Sequence, residues 1–430
     1  MSKRLNIVAL PCRLVLALVL FVLPFAGRAV TADSLIVSLL TCEPGTESYE
    51  LYGHTALRVR TADGRYDAVY NYGAFTMDEP HFIWRFLMGQ TDYMLLREPT
   101  FYLRPEYLSR GRSIREQVLD LTPAEAERLI RRVENEAQTP GWTYRYNFFR
   151  DNCTTRALLA ISEALDGTLQ LDQQVAAQHR RTLRDVVAEH TAQPMPWSDF
   201  GENLLLGADV DTLLDAQGLQ AFPEDAYALL QKASIKRADG SRRPLVKANN
   251  LIKATTDGPQ VSPPPLLLQP LSISLLLLLL SVWLSFRQWR GRAAGTRLFD
   301  GALMLLTGCA GCLVWLLFWF SELPAVGSNW LIGLLSPLPL LWLPRKILVE
   351  RRGQTDRYIA CVQPWIVALG FFAVSPMQEI QWPVYVLALS LLLRSIVERR
   401  QRFGLTSWHD KASIALWTAC AFAAIVYKAI

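Results

Sequence analysis

Residues that build disulfide and metal sites are scarce in this sequence. Its 430 residues include only 7 Cys and 5 His, which is too few cysteines for a disulfide scaffold. No C-x-x-C or H-x-x-x-H spacing supports a zinc site in the first 265 residues, so neither a metal nor a cofactor is expected. Charged residues are also few, at 19%, but 51% hydrophobic residues and a net charge of only +5 exclude intrinsic disorder.

Charge is distributed unevenly along the chain. Residues 1–32 carry four Lys or Arg and no acid, residues 33–265 have a net charge of −7, and residues 266–430 have one of +8. An acidic middle beside a basic, apolar C-terminal part argues against nucleic acid as a partner. The pattern favours a soluble domain joined to a membrane domain.

Residues 1–32 are typical of a secretory signal peptide. Basic residues precede an apolar stretch of 13 residues, 14–26, which is too short for a comfortable membrane span. Small residues at positions 30–32 offer a cleavage site. An uncleaved anchor is the alternative, and under both interpretations residues 33–265 form an exported domain.

Residues 266–430 contain five or six apolar segments that predict transmembrane helices. Lys and Arg are concentrated in every second loop, at 286–297, 344–358 and 394–411, whereas loops 321–329 and 375–383 contain none. Since positive loops stay in the cytoplasm, this alternation independently places residues 33–265 outside it. The six segments span about residues 266–286, 298–320, 330–343, 359–374, 384–396 and 412–427.

The exported region predicts strands followed by helices. Residues 34–40 form an apolar, strand-like run, and residues 56–61 and 66–72 flank a turn at Ala62-Asp63-Gly64-Arg65 that indicates a hairpin. Thr122-Pro123 starts one helix with a capping signal, and a second helix starts near Cys153. This order is typical of an α+β domain.

Two cysteines of the exported region, Cys42 and Cys153, are the candidate nucleophiles. Cys153 falls at the start of the second helix, where the helix dipole favours the thiolate. His54 begins a strand and could accept the thiol proton, as in covalent catalysis. If Asp63-Gly64 is the hairpin tip, position 54 faces position 73, and Asn71 lies close enough to orient His54. Asp67 is the second candidate for that role.

Less specific interpretations of these residues remain open. Cys42 and Cys153 could form a structural disulfide, and His54 could be a structural histidine. Cys309-x-x-Cys312 lies among small residues in a membrane segment and indicates helix packing. The apolar block at 82–88 is either core or a groove or surface that meets acyl chains.

Four sequence blocks stand out in the exported region: Leu39-Leu40-Thr41-Cys42-x-Pro44-Gly45, Gly53-His54-Thr55-Ala56-Leu57-Arg58-Val59, Tyr70-Asn71-Tyr72-Gly73 and Tyr146-Asn147-Phe148-Phe149-x-Asp151-Asn152-Cys153-Thr154-Thr155-Arg156. They resemble the Lnb-type periplasmic domain and occur in its order. This resemblance implies a permuted, papain-like fold of the NlpC class, with the histidine before the cysteine. Fusion to several membrane helices implies a multi-pass lipoprotein N-acyltransferase of the Gram-negative inner membrane.

The same resemblance implies roles for individual residues. Cys153 would carry an acyl thioester and His54 would act as base, with a phospholipid as acyl donor and a lipidated N-terminal Cys of a lipoprotein as acceptor. In the loop after the second membrane helix, where the family often has a His, this sequence has none, so either Glu322 would have to serve there or the step differs.

Other site residues follow from chemistry alone. Asn152 and the helix N–H groups are candidate oxyanion donors, and Arg58 and Arg156 are either headgroup ligands or scaffold ion pairs. A membrane-anchored cysteine hydrolase or peptidase of the same fold, and a non-enzymatic envelope assembly factor, are the alternative functions.

Overall fold

The computed structural model describes residues 35–178, 180–258, 261–352, 356–404 and 408–429. The predicted signal peptide at 1–32 lies outside these residues. The N-terminal part is an α+β domain, as expected, and a helical region follows it.

The strands of the described residues are β1 (Leu35–Cys42), β2 (His54–Thr61), β3 (Asp67–Ala74), β4 (Asp92–Pro99), β5 (Ile114–Leu119), β6 (Tyr144–Arg145), β7 (Thr168–Gln170), β8 (Ser234–Lys236), β9 (Arg242–Pro244) and β10 (Val246–Ile252). Seven of them form one antiparallel sheet in the order β10-β5-β1-β2-β3-β4-β6, and β7, β8 and β9 form a small second sheet.

The β2–β3 hairpin has the predicted register. Leu57 pairs with Tyr70 and Arg60 with Asp67, and extension of this pairing sets position 54 opposite position 73. Gly53 precedes the hairpin with φ +75°, and a Cβ there would lie 2.6 Å from the carbonyl oxygen of Cys42. Only glycine fits this approach, which fixes the point where β2 starts.

Nine α-helices belong to the described N-terminal part: α1 (Phe82–Leu87), α2 (Thr100–Ser109), α3 (Pro123–Gln138), α4 (Cys153–Ala164), α5 (Gln173–Gln178), α6 (Leu183–Thr191), α7 (Pro196–Leu205), α8 (Ala216–Leu219) and α9 (Pro223–Gln231). Thr122 caps α3 with the predicted capping box, and α4 begins at Cys153.

The main core lies between one face of the sheet and helices α3 and α4. Alternate residues of β1, β2 and β3 point to this face because side chains in strands alternate. They meet the apolar stripes of the two helices. The core includes Leu39, Leu57, Tyr70, Leu129 and Ile161, all of which are fully buried. This packing anchors the first turn of α4 beside β2 and β3.

The C-terminal region is helical, but the prediction of five or six membrane spans is not confirmed. Its helices are α10 (Pro270–Trp289), α11 (Thr296–Phe320), α12 (Pro324–Gly327), α13 (Leu338–Arg351), α14 (Gln363–Val374), α15 (Trp382–Phe403) and α16 (Trp408–Ala429). Within the described residues, α10 and α11 are long and apolar enough to cross a membrane. The number is three if a helix pair bent by 41° counts as one span.

Buried polar side chains explain why α15 is less apolar than a membrane helix usually is. Arg394 is fully buried, forms two hydrogen bonds to Asp300 at 2.7 and 2.9 Å, and also contacts Ser285 and Gln288. Charges inside a helical bundle persist where they are paired. This network joins α10, α11 and α15.

The N-terminal domain is docked on the helical region by hydrogen bonds. The last carbonyls of a helix lack intrahelical donors. At the end of α7, Leu204 and Leu205 accept from the amide of Asn329 at 2.8 and 3.0 Å, and Leu206 accepts from Gln378 at 2.9 Å. Amides of one domain therefore complete a helix terminus of the other, and fix their relative position.

Candidate active site

Cys153 is the first residue of α4, and Asn152 determines its position. The Oδ1 atom of Asn152 accepts hydrogen bonds from the N–H groups of Thr154 and Thr155, at 2.9 and 3.1 Å. Its Nδ2 atom donates to the carbonyls of Phe148 and Ala221, at 2.7 and 2.8 Å. Both halves of this buried amide are occupied, so Asn152 has no free donor for an oxyanion, contrary to expectation.

The structure brings His54 and Asn71 to Cys153. The Nε2 atom of His54 lies 3.1 Å from Oδ1 of Asn71, and the imidazole is close enough to the Cys153 thiol for each to shift the pKa of the other. At Gly73 the backbone has φ +89°, and a Cβ there would lie only 3.5 Å from Cβ of Cys153. The three predicted residues therefore form one group at the ends of β2 and β3.

The electrostatics of the pair favour a thiolate and an imidazolium. Burial opposes ionisation of Cys153, but the charge of His54 and hydrogen bonds from His54 and the Thr55 backbone outweigh it and lower the pKa of the thiol. Burial likewise opposes protonation of His54, and the Cys153 charge and the bonds to Cys153 and Asn71 raise its pKa. A proton on His54 and a negative sulfur stabilise each other.

A fourth residue, Glu98 on β4, fixes the orientation of the Asn71 amide. The Nδ2 atom of Asn71 donates to Oε1 of Glu98 at 2.6 Å, since a carboxylate only accepts. Oδ1 therefore faces His54, whose Nε2 must carry a hydrogen. In the neutral imidazole Nδ1 is therefore the acceptor, and it is the ring nitrogen available for the proton of Cys153.

Tyr144 is a further residue at the site, and no motif in the sequence indicated it. Its hydroxyl is buried and has no hydrogen-bond partner among the described residues. A Cβ at Gly73 would lie 3.8 Å from this oxygen and 4.0 Å from the backbone nitrogen of Cys153. An unpaired buried hydroxyl is costly, and here it points to the region beside the thiol.

Three charged candidates are engaged elsewhere in the structure. Arg58 contacts Asp67 at 2.6 Å and Glu116 at 3.0 Å, which makes it a scaffold residue and leaves Asp67 unsuited to orient His54. Arg156 is paired with Asp151 and lies 4.3 Å from the centre of the Tyr144 ring. Neither arginine is free to bind a headgroup in this conformation.

Glu322 and Cys42 also have structural surroundings. Glu322 accepts from Gln90 at 3.0 Å and from Arg145 at 2.9 Å, so it joins the two domains rather than entering the group around Cys153. Cys42 is a free, fully buried thiol. Burial raises its pKa to about 12. The disulfide alternative is therefore not seen, and Cys42 is a poor nucleophile.

Metal-binding geometry is also not seen. Among the described residues, no three His, Cys, Asp or Glu side chains are grouped as a metal ion would require.

Alkylation of Cys153 by iodoacetamide measures the predicted ion pair. Because the pKa of Cys153 is lowered, we expect alkylation to reach half its maximal rate at a pH below that of an ordinary thiol. His54→Ala removes the charge and the hydrogen bond that lower the pKa of Cys153 and leaves burial, which raises it. The pH at which alkylation reaches half its maximal rate should therefore increase. Peptide mass spectrometry separates the cysteines, and Cys42 should stay unmodified throughout. An unchanged pH of half-maximal alkylation in His54→Ala would contradict the pairing.

Glu98→Gln tests the positioning role of Glu98. A side-chain amide both donates and accepts, so it no longer fixes the Asn71 amide. We expect the pH of half-maximal alkylation to lie between those of the parent and His54→Ala. The reason is that the hydrogen bond from His54 to Asn71, which raises the pKa of His54, is weakened. Glu106→Gln is the matched control, since it removes a neighbouring charge that does not contact Asn71. If the alkylation rates of the two variants depend on pH in the same way, Glu98 acts only through its charge.

Comparisons with known families follow the same division of the chain. The model of the Lnb N-terminal periplasmic domain matches residues 24–189, and that of the Lnb transmembrane domain matches residues 263–403. Searches of curated proteins and of solved structures found no match. The two matches, in this order along one chain, support its assignment to the Lnb-type family, as a membrane protein with a periplasmic N-terminal domain.

Proposed function

We propose that this protein is a lipoprotein N-acyltransferase that uses Cys153 as a covalent nucleophile. The observation that carries the proposal is the Cys153–His54–Asn71 group, with a lowered thiol pKa, in a periplasmic domain docked on membrane helices. The two Lnb matches support a role in lipoprotein biogenesis. Both substrates would be lipids, which accounts for a catalytic domain fixed at a bilayer.

The first half-reaction transfers the acyl chain to the enzyme. The Cys153 thiolate attacks the carbonyl carbon of a phospholipid ester, and a tetrahedral oxyanion forms. When the C–O bond breaks, the imidazolium of His54 gives its proton to the departing lysophospholipid alcohol. The products are a Cys153 thioester and neutral His54.

The second half-reaction releases the chain to the acceptor. The neutral α-amino group of a lipidated N-terminal Cys attacks the thioester, and Nδ1 of His54 takes the proton that the nitrogen loses. The C–S bond breaks, so an amide forms and the thiolate–imidazolium pair is restored. One covalent intermediate shared by two substrates gives ping-pong kinetics.

Two donors suit the oxyanion of both steps. Asn152 caps the N–H groups of Thr154 and Thr155, which leaves the Cys153 N–H, since the first helical N–H groups have no intrahelical acceptor. The Tyr144 hydroxyl is the second donor, because it is buried and has no partner among the described residues. Donors held in place before the reaction stabilise the developing charge without reorganisation.

The permuted papain-like fold and the multi-pass inner-membrane location belong to the same proposal. The histidine lies on a strand that precedes the helix bearing the cysteine, and the helix starts against an antiparallel sheet. The alternation of basic and uncharged loops supports a multi-pass arrangement with the site in the periplasm.

Mass spectrometry of a lipoprotein N-terminal Cys tests the function. In cells that depend on this protein for N-acylation, we expect the N-acyl group to disappear in Cys153→Ser and to persist in Cys309→Ala, a matched change of an exposed cysteine. Purified protein mixed with labelled phospholipid should form a hydroxylamine-sensitive adduct on Cys153. A free fatty acid without N-acylation in cells would indicate a hydrolase instead.

Tyr144→Phe tests the oxyanion donor and leaves the ring for Arg156. Formation of the acyl adduct should slow roughly 100-fold, the typical cost of one lost oxyanion donor. Alkylation of Cys153 by iodoacetamide should be unchanged, because that reaction forms no oxyanion. Tyr72→Phe is the matched control, since its hydroxyl binds Glu136 in the same core. If both variants slow acylation equally, Tyr144 acts through packing.

A further inference from the structure

Helix α1 exposes an apolar face that soluble proteins usually cover. None of its residues is buried, and Ile83 and Trp84 are 75% and 47% exposed. Met77, in the turn before the helix, is 57% exposed. A grouped apolar surface of this kind usually marks an interaction site.

The end of α1 rests on the end of a membrane helix. The carbonyl of Met88 accepts from the N–H of Glu322 at 2.9 Å, and that of Leu87 accepts from the hydroxyl of Ser321 at 2.8 Å. Met88 also packs against Leu317 near the end of α11. This end of α11 is the periplasmic one, because basic residues precede α11. Helix α1 therefore lies where α11 leaves the bilayer.

Exposed tryptophans on other elements also lie where the membrane helices are expected to leave the bilayer on the periplasmic side. Trp and Tyr concentrate where a membrane meets water. Trp197 of the periplasmic domain is exposed and donates from Nε1 to the carbonyl of Leu268, two residues before α10. Other exposed aromatic residues lie at the corresponding helix ends or loops: Trp319, Phe320, Trp330 and Trp382. Trp84 continues this belt onto α1.

A row of aromatic rings connects α1 with the candidate nucleophile. Its centroids are separated by 6.4 Å from Phe86 to Phe82, 5.3 Å to Phe75, 4.8 Å to Tyr93 and 4.0 Å to Tyr146. Phe82, Phe75 and Tyr146 are only partly buried, and they pack against the same core cluster as Cys153. Tyr93, in the middle of the row, is buried. The row is therefore partly open at the other rings and ends in the core cluster that Cys153 also contacts.

We propose that the Ile83–Trp84 face of α1 enters the outer leaflet of the bilayer, and that a diacyl phospholipid reaches Cys153 along the aromatic row. The occupant of this surface is the lipid bilayer, since the face is continuous with the end of a membrane helix and lies in the aromatic belt. Insertion stands on the structure alone, whereas delivery of a donor lipid rests on the proposed function.

Photocrosslinking to lipid tests insertion without any chemistry at Cys153. A benzophenone amino acid is placed at position 83 or 101 of the full chain, in vesicles of phosphatidylethanolamine and phosphatidylglycerol. Phe101 on α2 is the matched control, because it is 76% exposed, against 75% for Ile83. We expect phospholipid adducts at position 83 only. No adduct at 83, or equal adducts at both positions, would overturn insertion.

A charge on the same face tests delivery. In Ile83→Glu, acylation of Cys153 by vesicle phospholipid should fall roughly tenfold, since an apolar side chain no longer enters the bilayer. Acylation by a water-soluble short-chain thioester and alkylation by iodoacetamide should keep their rates, and Phe101→Glu should change neither. A parental rate on vesicle lipid in Ile83→Glu overturns the delivery route. If even the parent protein is never acylated, the proposed function fails while the crosslink still decides insertion.

Discussion

The side-chain amide of Asn152 is the interaction on which the arrangement of the site depends. It closes the first turn of α4 through two N–H groups and ties that turn to the carbonyls of Phe148 and Ala221. The loop before Cys153, the start of the helix and a distant segment are therefore held by one buried group. Because its four bonds are all made within the protein, it positions the thiol and takes no part in substrate binding.

The chemistry of the site depends on a chain of directional contacts that begins at a carboxylate. Glu98 orients the Asn71 amide, Asn71 orients His54, and His54 presents one nitrogen to the sulfur. An isolated amide can flip and an isolated imidazole can change its tautomer. Each contact in the chain therefore decides which atom of the next group donates and which accepts. Cys42, one strand away, is fully buried, and this burial outweighs the effects of Arg112 and Tyr107, so its pKa moves in the opposite direction. Environment, rather than residue type, distinguishes the two thiols.

Local sequence signals predicted the hairpin register, the start of α4 and the contact between His54 and Asn71. Those features depend on neighbouring residues in a turn, a strand or a helix cap. Glu98 and Tyr144 were missed because their positions depend on the pairing of β3 with β4 and of β4 with β6, and a bulge follows Tyr72. The number of spans was predicted as five or six because two of the apolar segments are short. In the structure the buried pair of Arg394 and Asp300 joins α15 to α11. Among the described residues α11 is still apolar enough to cross a membrane, whereas α15 is not.

The docking of α7 has a consequence for how substrates meet the sulfur. Lifting the periplasmic domain would exchange the hydrogen bonds from Asn329 and Gln378 to these carbonyls for bonds to water, at a net cost of about 0.5–1.5 kcal/mol for each bond. The docking therefore holds Cys153 at a constant distance from the helical region. Under the proposed function, the lipid substrate would have to move to the sulfur, and this distance would determine which of its ester bonds can reach it.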